Sequence, residues 1–359
     1  MTLRKNIIYS FFSILILSKG VSDINVVSYG WEVFERNSDS RTIALAQSSI
    51  AYPIQNPGTV LLNPALSLNY NNMIGLTHQS RIGGNSNSEF IGFDKYINDS
   101  SWVSVIMLYE GVDGIPDTRG ALLDWGLDGI FGTFDVGEGN GSLDEGERLD
   151  VDNIRFFNQN IFGLYGAHSK IFNNWRIGVG LKIIMHTIDK EFGIGAGLDI
   201  GAFRNYYNTG IGLIVKNLPS SGLIWESGNI EISAPSLHFG LHHRFSISKY
   251  ELEINPMLRS SILSLDRSID SELVLGRIPM EFSSGFEAIL KKKLFFRIGM
   301  FHRGTLASGI GFRWNDLSVD YSFLSDGSSN GIEKNHLLSV SISIERLKKY
   351  FSNENQEVK

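Results

Sequence analysis

From residue 72 onward the chain alternates between large apolar residues and small or polar ones. In "WRIGVGLKIIMHTIDKEFGIGAGLDIGAF" (175–203), Trp175, Ile177, Val179, Leu181, Ile183 and Met185 share one parity, with Arg176, Gly178, Gly180, Lys182, Ile184 and His186 between them. A second run places Phe192, Ile194, Ala196, Leu198 and Ile200 against Gly193, Gly195, Gly197, Asp199 and Gly201. A period of two predicts strands, here greasy on one face and nearly bare on the other. Late in the chain Leu294, Phe296, Ile298 and Met300 interleave with Phe295, Arg297, Gly299 and Phe301, and Leu338, Val340, Ile342 and Ile344 with Ser339, Ser341 and Ser343. The pattern predicts fourteen strands: 72–81, 88–97, 101–110, 157–171, 174–187, 192–204, 209–217, 234–247, 249–261, 280–290, 294–303, 306–314, 316–324 and 336–345. Alternation is poorest in 72–110 and in 157–171.

The connections sharpen this picture. The long ones, 111–156, 218–233, 261–279 and 325–335, fall at one end of such a barrel, and the other end has short turns such as "NN" at 173–174 and "KKK" at 291–293. An even strand count with this asymmetry marks an antiparallel barrel of the outer-membrane type. Its outer face meets lipid and must be apolar, while its inner face meets water or packed polar groups. A soluble sandwich would clothe its polar face in Lys, Glu and Thr. Glycine and serine suit close approach inside a lumen instead. The expected fold is therefore an all-β transmembrane barrel over 72–346, with Trp175, Tyr250, Trp314 and Tyr321 near strand ends, where an aromatic girdle belongs.

Composition narrows the rest. A mean hydropathy of -0.03 excludes a helical membrane protein but not a barrel, whose strands are only half apolar. The net charge of -6 argues against nucleic acid as a partner, and with no cysteine there is no disulfide, thiolate metal site or lipidated N-terminal cysteine. Arg4 and Lys5 before the apolar stretch 7–17, then small residues at Ser18 and Gly20, read as a signal peptide over 1–20, with export to the outer membrane of a Gram-negative-type cell expected. Residues 21–71 do not share the strand pattern. They contain "SRTIALAQSSIAYPIQNPGTVLLNPALSLN", with helix-compatible spacing through Ile43–Ala51 and two Asn-Pro turns.

"SRTIALAQSSIAY" and "LLNPALSL" resemble the N-terminal segment and the Asn-Pro-Ala signature of the PorV/PorQ family, relatives of the FadL-type channels, and "LSVDYSFLSDGSSNGIEKNHLLSVSISI" resembles that family's closing hairpin. The resemblance implies a fourteen-stranded barrel with 21–71 tucked inside as a plug to which Arg41, Asn63, Pro64 and Ala65 belong. It implies one of two functions: binding exported proteins for a type IX-like secretion system, or passive passage of hydrophobic small molecules. Gln47 and Ser48 stand where that family has a Gly pair. The chain also continues as "RLKKYFSNENQEVK", a net basic periplasmic tail over 347–359, instead of closing on an aromatic.

Residues 111–155 carry eleven acids and three bases, a local charge of -8 against -6 for the whole chain, so the remainder is +2. "EGNGSLDEGE" mirrors the second half of a calcium loop: Gly141 at the turning position, Glu138, Asn140, Asp144 and Glu147 at ligand positions, and Asp135 reaching in for a non-ligating Val136. Asp124 and Asp128 form an upstream half-copy. The segment is thus either a structural Ca²⁺ loop or a solvated acidic loop. Catalytic signatures are absent: there is no HExxH helix, GxSxG elbow or P-loop, and "GIGAGLDIG" lies inside an alternating strand with no helix after it. The protein is expected not to be an enzyme. Arg176, Lys182, His238, His242, Arg244, Arg297 and Arg313 share the bare parity and are expected to face the lumen. A third reading, a secreted soluble β-protein stabilised by calcium, requires the bare face to meet bulk water.

Overall fold

The computed structural model describes residues 24–26, 29–67, 72–81, 84–263, 273–275, 278–325 and 334–349; the expected signal peptide and the tail beyond 349 lie outside them. Fourteen strands form the wall: β1 Met73–Arg81, β2 Ser86–Asn98, β3 Ser101–Asp117, β4 Arg155–Phe172, β5 Trp175–Ile188, β6 Glu191–Tyr206 and β7 Thr209–Lys216, followed by β8 Ser236–His243, β9 Leu252–Ile262, β10 Ile278–Leu290, β11 Leu294–Met300, β12 Leu306–Trp314, β13 Leu317–Ser325 and β14 Lys334–Ser343. Each is antiparallel to its neighbour, and β14 closes on β1, with Met73 opposite Ser343 and Ser80 opposite His336. Closure leaves no free sheet edge, which is what allows strands to cross a bilayer. No helix among the described residues is long and apolar enough to do so.

All fourteen expected strands are present, and their differences from expectation have local causes. β3 and β4 run on into the acidic loop, longer than the 101–110 and 157–171 read from the sequence. The run 234–247 is broken at Arg244 into β8 and a short strand at Phe245–Ile247. The closing strand stops at Ser343, and 344–349 coil into a helical turn. Parity holds as expected on β5: Ile177, Val179, Leu181, Ile183 and Met185 are exposed to the outside, while Arg176, Gly178, Gly180, Lys182, Ile184 and His186 are buried inside.

The N-terminal segment fills the interior. Helices at Val33–Arg36, Ser40–Ala44 and Thr59–Leu62, with single 3₁₀ turns at Ser49–Ala51 and Pro64–Leu66, wind through it almost wholly buried. Asp39 caps the second helix, accepting from the Thr42 amide and hydroxyl, and Asn63 caps the last turn with Pro64 at its first position. Between them Ala46 and Gln47 take left-handed backbone, with φ of 49° and 54°. Glycine is the natural occupant of that conformation, so these two residues hold it at some cost in backbone strain.

The wall is irregular beside β7. Above Lys216 the first half of β6 pairs instead with Ser221–Trp225, which pairs with Ile230–Ser233. The outer edge of that hairpin is taken in parallel by Ile24–Val26. The start of the described chain therefore lies at the long-loop end, and the plug descends from there towards β1.

Candidate functional site

The plug meets the wall through three kinds of contact. The first is bare backbone. A Cβ on Gly178 would lie 2.2 Å from the Pro64 carbonyl carbon, and one on Gly201 2.0 Å from the Asn63 side-chain oxygen. Gly212 and Gly299 stand likewise under Ile50 and Ala46. The bare parity of the strands is thus the bed on which the plug backbone lies. Asn63 fastens it: its Nδ2 donates to the carbonyls of Ile50, Ala202 and Leu213, and its Oδ1 accepts from the Ala65 amide. Asn63, Pro64 and Ala65, implied by the resemblance, are brought together here.

The second contact is charged. Arg41 donates to Glu287 at 2.5 Å, Arg297 donates to the other Glu287 oxygen at 2.8 Å, and Arg297 reaches Asp320 at 2.6 Å. Glu287 is fully buried, and Arg41 also lies over the rings of Tyr52 and Phe295. Arg313 stands half-buried over Phe295. Elsewhere Lys182 pairs with Asp199 at 2.8 Å, and Arg81 with Glu110 at 3.1 Å. Arg176 lies over Trp102 and Phe203. His238 is bonded to Ser236 and Ser261, and His242 to Asn255 beneath a stacked Tyr52.

Six of the seven expected lumen residues therefore face inward. Arg244 is the correction: it is exposed in the break after β8, its amide donating to the Asn208 carbonyl at the short-turn rim, because the ladder that would have kept its parity ends at His243. Glu287, Asp320 and Asp199 were missed. Each is an acid at bare parity on its strand, the same signal that found the arginines.

The third contact is apolar. Trp31, Val33, Phe34, Val60 and Leu61 of the plug pack against Phe90, Ile106, Leu108, Ile161, Tyr165, Ile184 and Leu223 of the wall. One flank of the interior is mainly apolar, with the Lys182–Asp199 pair set against Trp31, Phe34 and Tyr165, and the flank at β10, β11 and β13 is ionic. Such a lumen differs from the water-filled interior of a porin.

Outside the barrel the acidic segment is tied down by its own carboxylates. Asp124 accepts from the amides of Gly139 and Gly141 at 2.7 and 2.6 Å. Glu147 accepts from Gly126 and Asp144, Asp135 from Asp128, Asp128 from Ile130, and Glu138 from Gly132 and Phe134. Asn140 donates to Asp144. The set Asp135, Glu138, Asn140, Asp144 and Glu147 is not assembled as a cage for Ca²⁺, nor is the Asp124, Asp128 half-copy. Among the described residues no three such groups converge to hold a metal ion. Several of their oxygens accept from backbone N–H groups, Asp144 accepts from the Asn140 side chain, and Asp135 Oδ1 is buried without a hydrogen-bond partner.

The Gly141 amide, more than any other group, holds the Asp124 carboxyl below its ordinary value of 3.8. A lowered folded value supports the loop fully above that ordinary value, and the support is lost as pH falls through the lowered one. Hydrogen exchange at Gly139 and Gly141 is expected to stay slow at neutral pH and to quicken relative to strand amides below about pH 3.8. Uniform protection across that range would remove Asp124 as the loop's tie.

With a closed wall, an apolar belt and a resident plug, the class is defined: a plugged fourteen-stranded β-barrel of the outer-membrane type. No family model and no curated protein matches the chain. Among solved structures it is similar to the toluene transporter TodX of Pseudomonas putida, at 9% identity over 84% of this chain and 98% of that one, with a TM-score of 0.49. It is also similar to the outer-membrane protein Omp33 of Acinetobacter baumannii, at 9% identity over 77% and 100%, with a TM-score of 0.40.

Proposed function

We propose that the protein resides in the outer membrane and docks a partner protein at its long-loop end, the partner being an exported protein or a component of a type IX-like secretion assembly. The observation that carries this reading is the surface of the acidic loop. Phe131, Phe134 and Val136 are 76%, 91% and 84% exposed, and Leu127, Ile130 and Leu143 are exposed beside them. These side chains lie beyond the lipid-facing strands, so lipid does not cover them. Grouped apolar side chains in water, held on a tied backbone and ringed by carboxylates, suit burial against a protein. The plug packed into the interior agrees with a binding role, and the PorV/PorQ resemblance supplies the class of partner.

Crosslinking in intact cells followed by pull-down tests it. The wild-type chain is expected to recover exported proteins sharing a C-terminal domain. Phe131→Ser with Phe134→Ser is expected to lower recovery by a factor on the order of 10, as loss of an aromatic anchor does. If the wild type recovers no such protein, the reading fails.

A second reading, passive passage of hydrophobic small molecules, is favoured by the apolar flank at Trp31 and Phe34 lying beside the wall irregularity at Ser221–Trp225. Vesicles containing the protein would then take up a fluorescent fatty acid faster than protein-free vesicles. Equal rates would dismiss it.

A further inference from the structure

The short-turn end carries cations and aromatics in pairs. Arg204 lies over Trp175 at 5.6 Å, Lys249 over Tyr250 at 5.4 Å and Arg346 over Trp314 at 5.2 Å. Lys170, Lys291, Lys292, Lys293, Lys348 and Lys349 are exposed on the same rim. Acids are present there too, at Asp99, Glu251, Asp316 and Glu345, but the rim contrasts with the acidic long-loop end. Between the turns at 173–174 and 207–208 the rim opens into a cleft of about 490 Å³, lined among others by Trp175, Arg176, Phe203, Arg204, Tyr206 and Tyr207. Tyr206 and Tyr207 are exposed at its mouth, and the lipid-facing row Ile177, Val179 and Leu181 begins one residue beyond Arg176.

From this arrangement we infer that the short-turn rim binds anionic phospholipid headgroups of the inner leaflet, the Trp175–Arg204 cleft being one seat. The outward Arg204 guanidinium meets a phosphate, ring edges sit at headgroup level, and acyl chains run up the adjoining apolar row. Arg204 is partly exposed on the outer face, where a headgroup can reach it, and its guanidinium lies over the Trp175 ring. The three consecutive lysines at 291–293 and the helical turn 344–349 extend the positive surface around the rim. Phosphatidylglycerol, with a net negative headgroup, is therefore preferred over zwitterionic phosphatidylethanolamine. The inference rests on the membrane-barrel reading and is independent of which partner the loop end docks.

Native mass spectrometry of the full chain in detergent, offered equal amounts of the two lipids, reads the preference directly. The wild type is expected to retain phosphatidylglycerol over phosphatidylethanolamine by roughly fivefold or more, the factor that a single surface cation supplies. Arg204→Gln is expected to remove the lipid held in the cleft, Arg204→Lys to keep part of it, and Lys291→Gln with Lys292→Gln and Lys293→Gln to lower the total number retained. Equal retention by the wild type, or a preference untouched in Arg204→Gln and in the triple variant, overturns the proposal. Heat-dependent gel mobility of the same samples separates the two failures. A shift present with no lipid preference removes only this inference, whereas a wild type with no shift removes the barrel reading along with it.

Discussion

Replacing Glu287 with alanine is expected to destabilise the plugged barrel by about 3–5 kcal/mol, the cost of leaving a buried ion without its partner. Glu287 is the shared acceptor of Arg41 on the plug and Arg297 on β11, and after its removal Asp320 faces Arg297 alone. Arg41 would be left buried among rings. The measurement is the temperature at which the compact unboiled band converts to the unfolded one, together with the rate at which protease cuts between Arg36 and Arg41. Both are expected to move, the second more, because Arg41 is the plug's own link to the ionic flank. Arg41→Met combined with Glu287→Met is expected to cost less than the two single changes together, since the pair is removed as a unit. A Glu287→Ala protein with unchanged melting and an uncut plug would show that the ion pair does not hold the segment in place.

The second large effect comes from adding one methyl group. Gly178→Ala puts a Cβ 2.2 Å from the Pro64 carbonyl carbon and 2.4 Å from the Ala65 nitrogen, both backbone atoms that cannot turn aside. Overpacking of this kind costs about 1–3 kcal/mol where side chains give way. Here the plug itself must lift, so protease sensitivity near Asn63 is expected to rise at least as much as thermal stability falls. Gly166→Ala is the control. It is on the neighbouring strand β4, with nothing within 4 Å of the added carbon, and should behave as wild type. If the two variants behave alike, the glycine face is a feature of strand composition and not the bed of the plug.

The places where the strand pattern was hard to read turn out to be informative. β3 and β4 alternate poorly because both of their faces are largely apolar: Met107 and Phe162 point outward, while Ile106, Leu108, Ile161 and Tyr165 point to the greasy side of the plug, and β2 adds Phe90 there from an inward row that also holds Ser86, Ser88 and Asp94. β5 and β6 alternate cleanly because their inward glycines make room for what leans over them: the Pro64 backbone at Gly178, the Asn63 side chain at Gly201, and wall side chains such as Tyr165 at Gly180, Trp225 at Gly193 and Ser221 at Gly197. A strand can therefore signal what lies inside the barrel through the size of its inward residues. Arg244 escaped this logic because parity carries meaning only while the ladder continues.

By itself the sequence determined the number of strands, their order, which end bears the long loops and which residues face inward. These stem from a period of two and from the cost of exposing polar groups to lipid, both local properties of the chain. Only the tertiary structure decided that Glu287 joins Arg41 to Arg297 across 246 and 10 residues of chain, that another flank is mainly apolar, and that the acidic loop turns its carboxylates onto its own amides. Partners so far apart are chosen by how the plug descends through a closed wall. Spacing alone could arrange the loop's acids in the order of a calcium site, but whether their oxygens meet an ion or a backbone N–H depends on the path of the turns between them.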